Sequence, residues 1–110
     1  MMRTFEYRQP RVTAHFGLEF CVERHTVYGM CTDVSDGGIR AVFEEQLKVG
    51  DKGSLLLRHP RRSFTLDATV AHIEGDNVGL TFLCQTSEDR AQSELFSQVA
   101  AGNVLPIRPV

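Results

Sequence analysis

The chain has 110 residues, 42% of them hydrophobic and 24% charged, with a formal net charge of −2. That is room for one domain with its own core, not for two. The slightly acidic balance excludes a protein that grips DNA through a broad basic face, but it leaves open a small anion held by two or three arginines.

The three cysteines, Cys21, Cys31 and Cys84, have no tight spacing. They make a poor disulfide framework, and the four scattered histidines do not join them at zinc-site spacing. We therefore expect small core thiols, no metal and no cofactor. The start, Met1 to Arg8, is polar and no apolar stretch follows it. Nowhere do about 18 apolar residues run together, so no membrane insertion is expected and the reading is cytoplasmic.

The dominant period is two. Val12, Ala14, Phe16, Leu18, Phe20 and Val22 alternate with mostly polar residues, which predicts a long strand with one apolar face. Arg24-His25 is read as the bend, and Thr26 to Thr32 as a second strand. Asp33-Val34-Ser35-Asp36-Gly37-Gly38 is rich in turn formers and is read as a turn. Ile39, Ala41 and Phe43 define a third strand, Val49 to Gly53 a turn, and Ser54 to Arg58 a short fourth strand. His59-Pro60-Arg61-Arg62 is a basic connection.

Phe64, Leu66, Ala68 and Val70 lie on one face of a fifth strand running to about Ile73. Glu74 to Asn77 is a hairpin turn, and Val78, Leu80, Phe82 and Cys84 form the apolar face of a sixth strand. Then the period changes. Thr86-Ser87-Glu88-Asp89 offers a helix N-cap with acids in the first turn. Ala91, Leu95 and Val99 recur every four residues, and Gly102 is a natural stop. The expected fold is an all-β, six-stranded antiparallel barrel with a C-terminal α-helix. Residues 1–11 form a flexible arginine-bearing segment in this reading, 12–101 the barrel and helix, and 102–110 an extended tail.

Two features exceed the needs of a barrel. Arg8-Gln9-Pro10-Arg11 is a proline-stiffened segment that aims two arginines. In the Asp33–Gly38 stretch, Asp33 and Ser35 point to the same side if the backbone there is extended, and Gly38 admits the close approach of a ligand or of another backbone. A carboxylate accepts hydrogens from the Watson–Crick edge of guanine, while arginine meets O6 and N7, stacks on the base or binds phosphate. No nucleophile–base pair has recognisable spacing, so we read no enzyme here.

These residues resemble the PilZ domain family, whose members carry Arg-x-x-x-Arg in an N-terminal loop and Asp/Asn-x-Ser-x-x-Gly some way after it. Asp33, Ser35 and Gly38 match the second motif in full. Gly50 and Gly53 before a strand, Val78-Gly79-Leu80-Thr81-Phe82 as a closing strand and the helix after it extend the likeness over about Glu6 to Ala101. In the first motif Arg11 takes the second arginine position and the first falls on Tyr7, with Arg8 one residue later as a substitute. The resemblance implies a six-stranded barrel that binds cyclic di-GMP through Arg8, Arg11, Asp33, Ser35 and Gly38, with Tyr7 and Gly37 as further contacts. It implies an N-terminal segment that reorders on the ligand, and a signal that leaves through an unidentified protein partner. The alternative is an adaptor on the same fold that binds no nucleotide; Tyr7 at an arginine position motivates it.

Overall fold

Alternating residues become the inside and the outside of a barrel. In the computed structural model, which describes residues 12–35 and 37–101, β1 (Val12–Val22), β2 (His25–Ser35), β3 (Gly38–Phe43), β4 (Lys52–Arg58), β5 (Ser63–Glu74) and β6 (Asn77–Phe82) precede α1 (Ser87–Ala101). All pairings are antiparallel, and the sheet closes in the order β1-β2-β3-β6-β5-β4. Closure leaves no unpaired edge strand among the described residues. Phe16, Leu18, Phe20, Leu55, Leu57, Phe64, Leu66, Val70, Leu80 and Phe82 fill the interior. Cys31 is buried with them, and its thiol is pushed up to about 12 by that burial. It stays protonated at neutral pH and is no nucleophile. No described helix is long and apolar enough to cross a membrane.

The expected six strands and helix are all present, with local corrections. The first bend falls at Glu23-Arg24 rather than Arg24-His25, with Glu23 in the left-handed region at φ 59°. The stretch read as a turn is largely strand: β2 runs through Asp33, Val34 and Ser35, and β3 begins at Gly38. Strand pairing to β1 and β3 outweighs the turn preferences of Asp and Ser, because Val34 is a core residue and must face inward. β6 ends at Phe82, and Cys84 follows it, half-buried against the core.

α1 begins as its sequence predicts. The Asp89 amide donates to Thr86 Oγ1 at 3.0 Å, and Asp89 Oδ2 accepts from the Thr86 amide at 3.3 Å. This is a reciprocal cap with aspartate in the usual glutamate place. The buried face, however, is Ser93, Phe96 and Val99. Ala91 is exposed and Leu95 only half-buried. Phe96 decides the rotation of the helix: its ring meets Phe16, Phe64 and Phe82 edge-on at centroid distances of 6.0, 5.3 and 5.8 Å. Such aromatic contacts add to the gain from burial.

Residues 1–11, with the arginine segment, and the 102–110 tail with Gly102 lie outside the described residues, as does Asp36.

Gly38 sits where β3 meets β6, opposite Thr81. A Cβ there would collide with the Leu80 carbonyl oxygen, and Thr81 Cα stands 3.2 Å from the same point. Backbone, not ligand, occupies the space that this glycine leaves.

Two outcomes follow for stability. Phe96→Ala will destabilise the fold by about 3–5 kcal/mol in chemical denaturation, the range for emptying a buried aromatic site. Gly38→Ala will cost about 1–3 kcal/mol in the absence of any ligand, because β3 must shift away from β6. An unchanged denaturation midpoint for Gly38→Ala would contradict the close approach.

Candidate functional site

Two β-bulges shape one patch of the outer surface. Cys31 pairs with Ala41 and Asp33 with Arg40, so Thr32 is an extra residue in β2. Val70 pairs with Leu80 and His72 with Gly79, so Ala71 is an extra residue in β5. A bulge resets which side chain faces outward beyond it. Here the two of them place Asp33, Arg40, Gly79 and His72 in one cross-strand row over β2, β3, β6 and β5.

The row is partly paired within itself. Arg40 Nη1 lies 3.9 Å from Asp33 Oδ2, and both side chains are less than one-third exposed. At that distance the pair is loose, and the Asp33 carboxylate keeps lone pairs for another donor. Thr32 Oγ1 donates to the Arg40 carbonyl at 3.2 Å and holds the bulge.

The next outward row is Ser35, Gly38, Thr81 and Thr69. Ser35 Oγ donates to the Gly38 carbonyl at 3.4 Å, from the end of β2 to the start of β3. The Ser35 carbonyl accepts from Ser97 Oγ at 3.3 Å, which ties α1 to the end of β2. Gly37 is exposed, and its carbonyl accepts the Phe82 amide at 2.9 Å. Between the rows opens a cleft of about 250 Å³ lined by Ser35, Gly38, Arg40, His72, Gly79 and Thr81, among others. Its walls come from β2 and β3 on one side and from β5 and β6 on the other.

The structure thus brings Asp33, Ser35, Gly37 and Gly38 to one place. Tyr7, Arg8 and Arg11 lie outside the described residues. β1 starts at Val12, opposite Val34, so the chain joins the barrel beside Asp33 and Ser35. Sequence reasoning missed Arg40, His72 and Gly79. Arg40 alternates with core residues and was legible as outward-facing, but nothing in the sequence pairs it with Asp33 or brings it toward His72. That proximity depends on the bulges and on the β3–β6 closure.

The patch has the chemistry of a binding site. It offers a carboxylate acceptor, a guanidinium, a hydroxyl, an imidazole and exposed backbone around a recess. Among the described residues no group of three or more His, Cys, Asp or Glu side chains is gathered as a metal site requires. His59, away from this patch, stacks edge-on against Phe16 at 5.2 Å and accepts the Arg61 amide at Nδ1. Its pKa is lowered by burial and by the Arg61 charge.

Comparison with known proteins agrees with this architecture. The PilZ domain family model matches residues 6–100. Among solved structures, the PilZ domain of CeSA from a cellulose-synthesizing bacterium superposes with a TM-score of 0.68 at 13% identity, covering 80% of this chain and 94% of that one. The PilZ domain of Escherichia coli YcgR, solved with c-di-GMP, gives a TM-score of 0.70 at 16% identity, covering 90% and 94%. The Bacillus subtilis inhibitor of motility MotI/DgrA gives 0.65 at 18% identity, covering 99% of this chain and 54% of that one. No curated protein sequence matches the chain. With a matching family model over nearly its whole length and a closed six-stranded barrel followed by a single helix, the chain belongs to the PilZ domain family.

Proposed function

We propose that this domain binds cyclic di-GMP on the outer face of β2 and β3 and acts as a receptor module rather than an enzyme. The observation that carries the reading is a recess lined by Ser35 and Arg40, with Asp33 beside Arg40 in the same cross-strand row and its carboxylate only loosely held by that arginine. A guanine presents ring N–H and exocyclic amine hydrogens on its Watson–Crick edge, and Asp33 accepts them. Ser35 and the backbone at Gly37 and Gly38 line the approach to the base.

Arg11 directly precedes Val12, whose partner across the ladder is Val34. From there it supplies a guanidinium to the phosphates or to the guanine Hoogsteen edge, with Arg8 as the second cation and Tyr7 as a stacking side chain. Residues 1–11 thereby reorder over the ligand, and the ligand drives this only through its greater affinity for the closed state. The structural likeness to a YcgR domain solved with c-di-GMP supports the ligand class. A cytoplasmic receptor of this kind passes its signal to a protein partner.

A second reading, a protein-contact module that takes no nucleotide, is favoured by a different patch. Tyr28, Met30 and Val42 are 52, 45 and 38% exposed on the outer faces of β2 and β3. Met30 and Val42 are direct cross-strand partners. A partner captured equally well by wild type and Asp33→Ala, with or without nucleotide, would favour this reading.

Isothermal titration calorimetry with cyclic di-GMP tests the first. Wild type will bind, and Asp33→Ala and Arg11→Ala will each weaken binding by about tenfold or more, the value of a charge-assisted hydrogen bond. Absence of heat from folded protein at high micromolar ligand would overturn it.

A further inference from the structure

The imidazole of His72 lies over Gly79. At the point where a Cβ on Gly79 would stand, Nδ1 and Nε2 are 2.7 and 2.9 Å away and Cε1 is closer still. Similar distances to both nitrogens, with the carbon between them nearest, mean that the ring lies face-down on the glycine. Gly79 is buried beneath it, while His72 is exposed, so the other ring face is turned outward. The bulge at Ala71 puts this ring at the β5 end of the row that begins at Asp33. Arg40 lies between them and lines the same cleft.

Neighbouring strands are about 4.8 Å apart, so Asp33 and His72, separated by three strand spacings, stand roughly 14 Å apart across the sheet. One purine does not span that distance. A ligand with two purines does so if one base meets Asp33 and the other lies on a flat surface near His72. An imidazole lying over a glycine is such a surface. A base stacked there gains dispersion and π contact with the ring.

We infer that His72 is a stacking platform for a second purine base of the bound nucleotide, with Arg40 placed to meet the phosphate bridge between the two bases. This rests on the nucleotide reading above and assigns its far half to β5 and β6. It also gives Gly79 a role, since any side chain at that position would lift the imidazole off the sheet.

The test is calorimetric titration of cyclic di-GMP into wild type, His72→Ala and His72→Phe, each checked by thermal melting for an intact fold. His72→Ala will weaken binding about tenfold, in the range measured when a base loses an aromatic partner, while His72→Phe will stay within about twofold of wild type because a flat ring remains. Equal binding by wild type and His72→Ala overturns the platform and leaves the site at Asp33 standing. A loss in His72→Phe as large as that in His72→Ala also overturns it, since the contact would then depend on the imidazole nitrogens rather than on stacking. Failure of wild type to bind removes the nucleotide reading itself, and this inference with it.

Discussion

The barrel closes where β3 meets β6, and the contact there is backbone against backbone. Gly38 faces the Leu80 carbonyl with no room for a methyl group between them. Without that approach the sheet would end in two open edges, and the β2–β3 half would not lie beside the β6–β5 half. The outer cleft is a product of the same closure, since its walls come from both halves. A glycine that in sequence stands as one element of a ligand motif is thus required by the fold before any ligand arrives.

Closure brings the strands together, and the bulges decide which side chains share a row. An unbulged β2 would set Thr32, not Asp33, opposite Arg40, and an unbulged β5 would set Ala71, not His72, opposite Gly79. Each bulge gives up one ladder position and sets a polar side chain in the shared row, a use of irregularity common beside binding sites. The site therefore stands on strands rather than on a loose loop, and a scaffold of paired backbone positions its groups before binding. The Ser35 carbonyl is bonded to Ser97, so α1, anchored in the core by Phe96, is linked to the same strand end.

Much of the fold was legible because it depends on period and on local chemistry. The alternation from Phe16 to Phe20 and from Phe64 to Val70 marked core faces correctly, and the Thr86–Asp89 cap announced the helix. The errors have physical causes. Asp33 and Ser35 look like turn residues by preference, yet Val34 between them is needed in the core, and pairing on both sides overrode local tendency. The helix face was misjudged by spacing from Ala91, whereas the one large ring, Phe96, sets the rotation. At the proposed site, the motif spacing of Asp33, Ser35 and Gly38 is legible in the sequence. Arg40, Gly79 and His72 were not, because their adjacency depends on bulges and on a non-local closure that no short spacing encodes.

The proposed nucleotide site is the outer face running from β2 across β3 and β6 to β5. Two-dimensional amide NMR of the isotopically labelled chain, recorded as cyclic di-GMP is added, examines every part of that face at once. Shifts will concentrate at Asp33, Ser35, Arg40, His72 and Gly79, with Tyr28, Met30 and Glu45 unmoved. A spectrum that does not change, or one that changes only around Tyr28, Met30 and Val42, would contradict it.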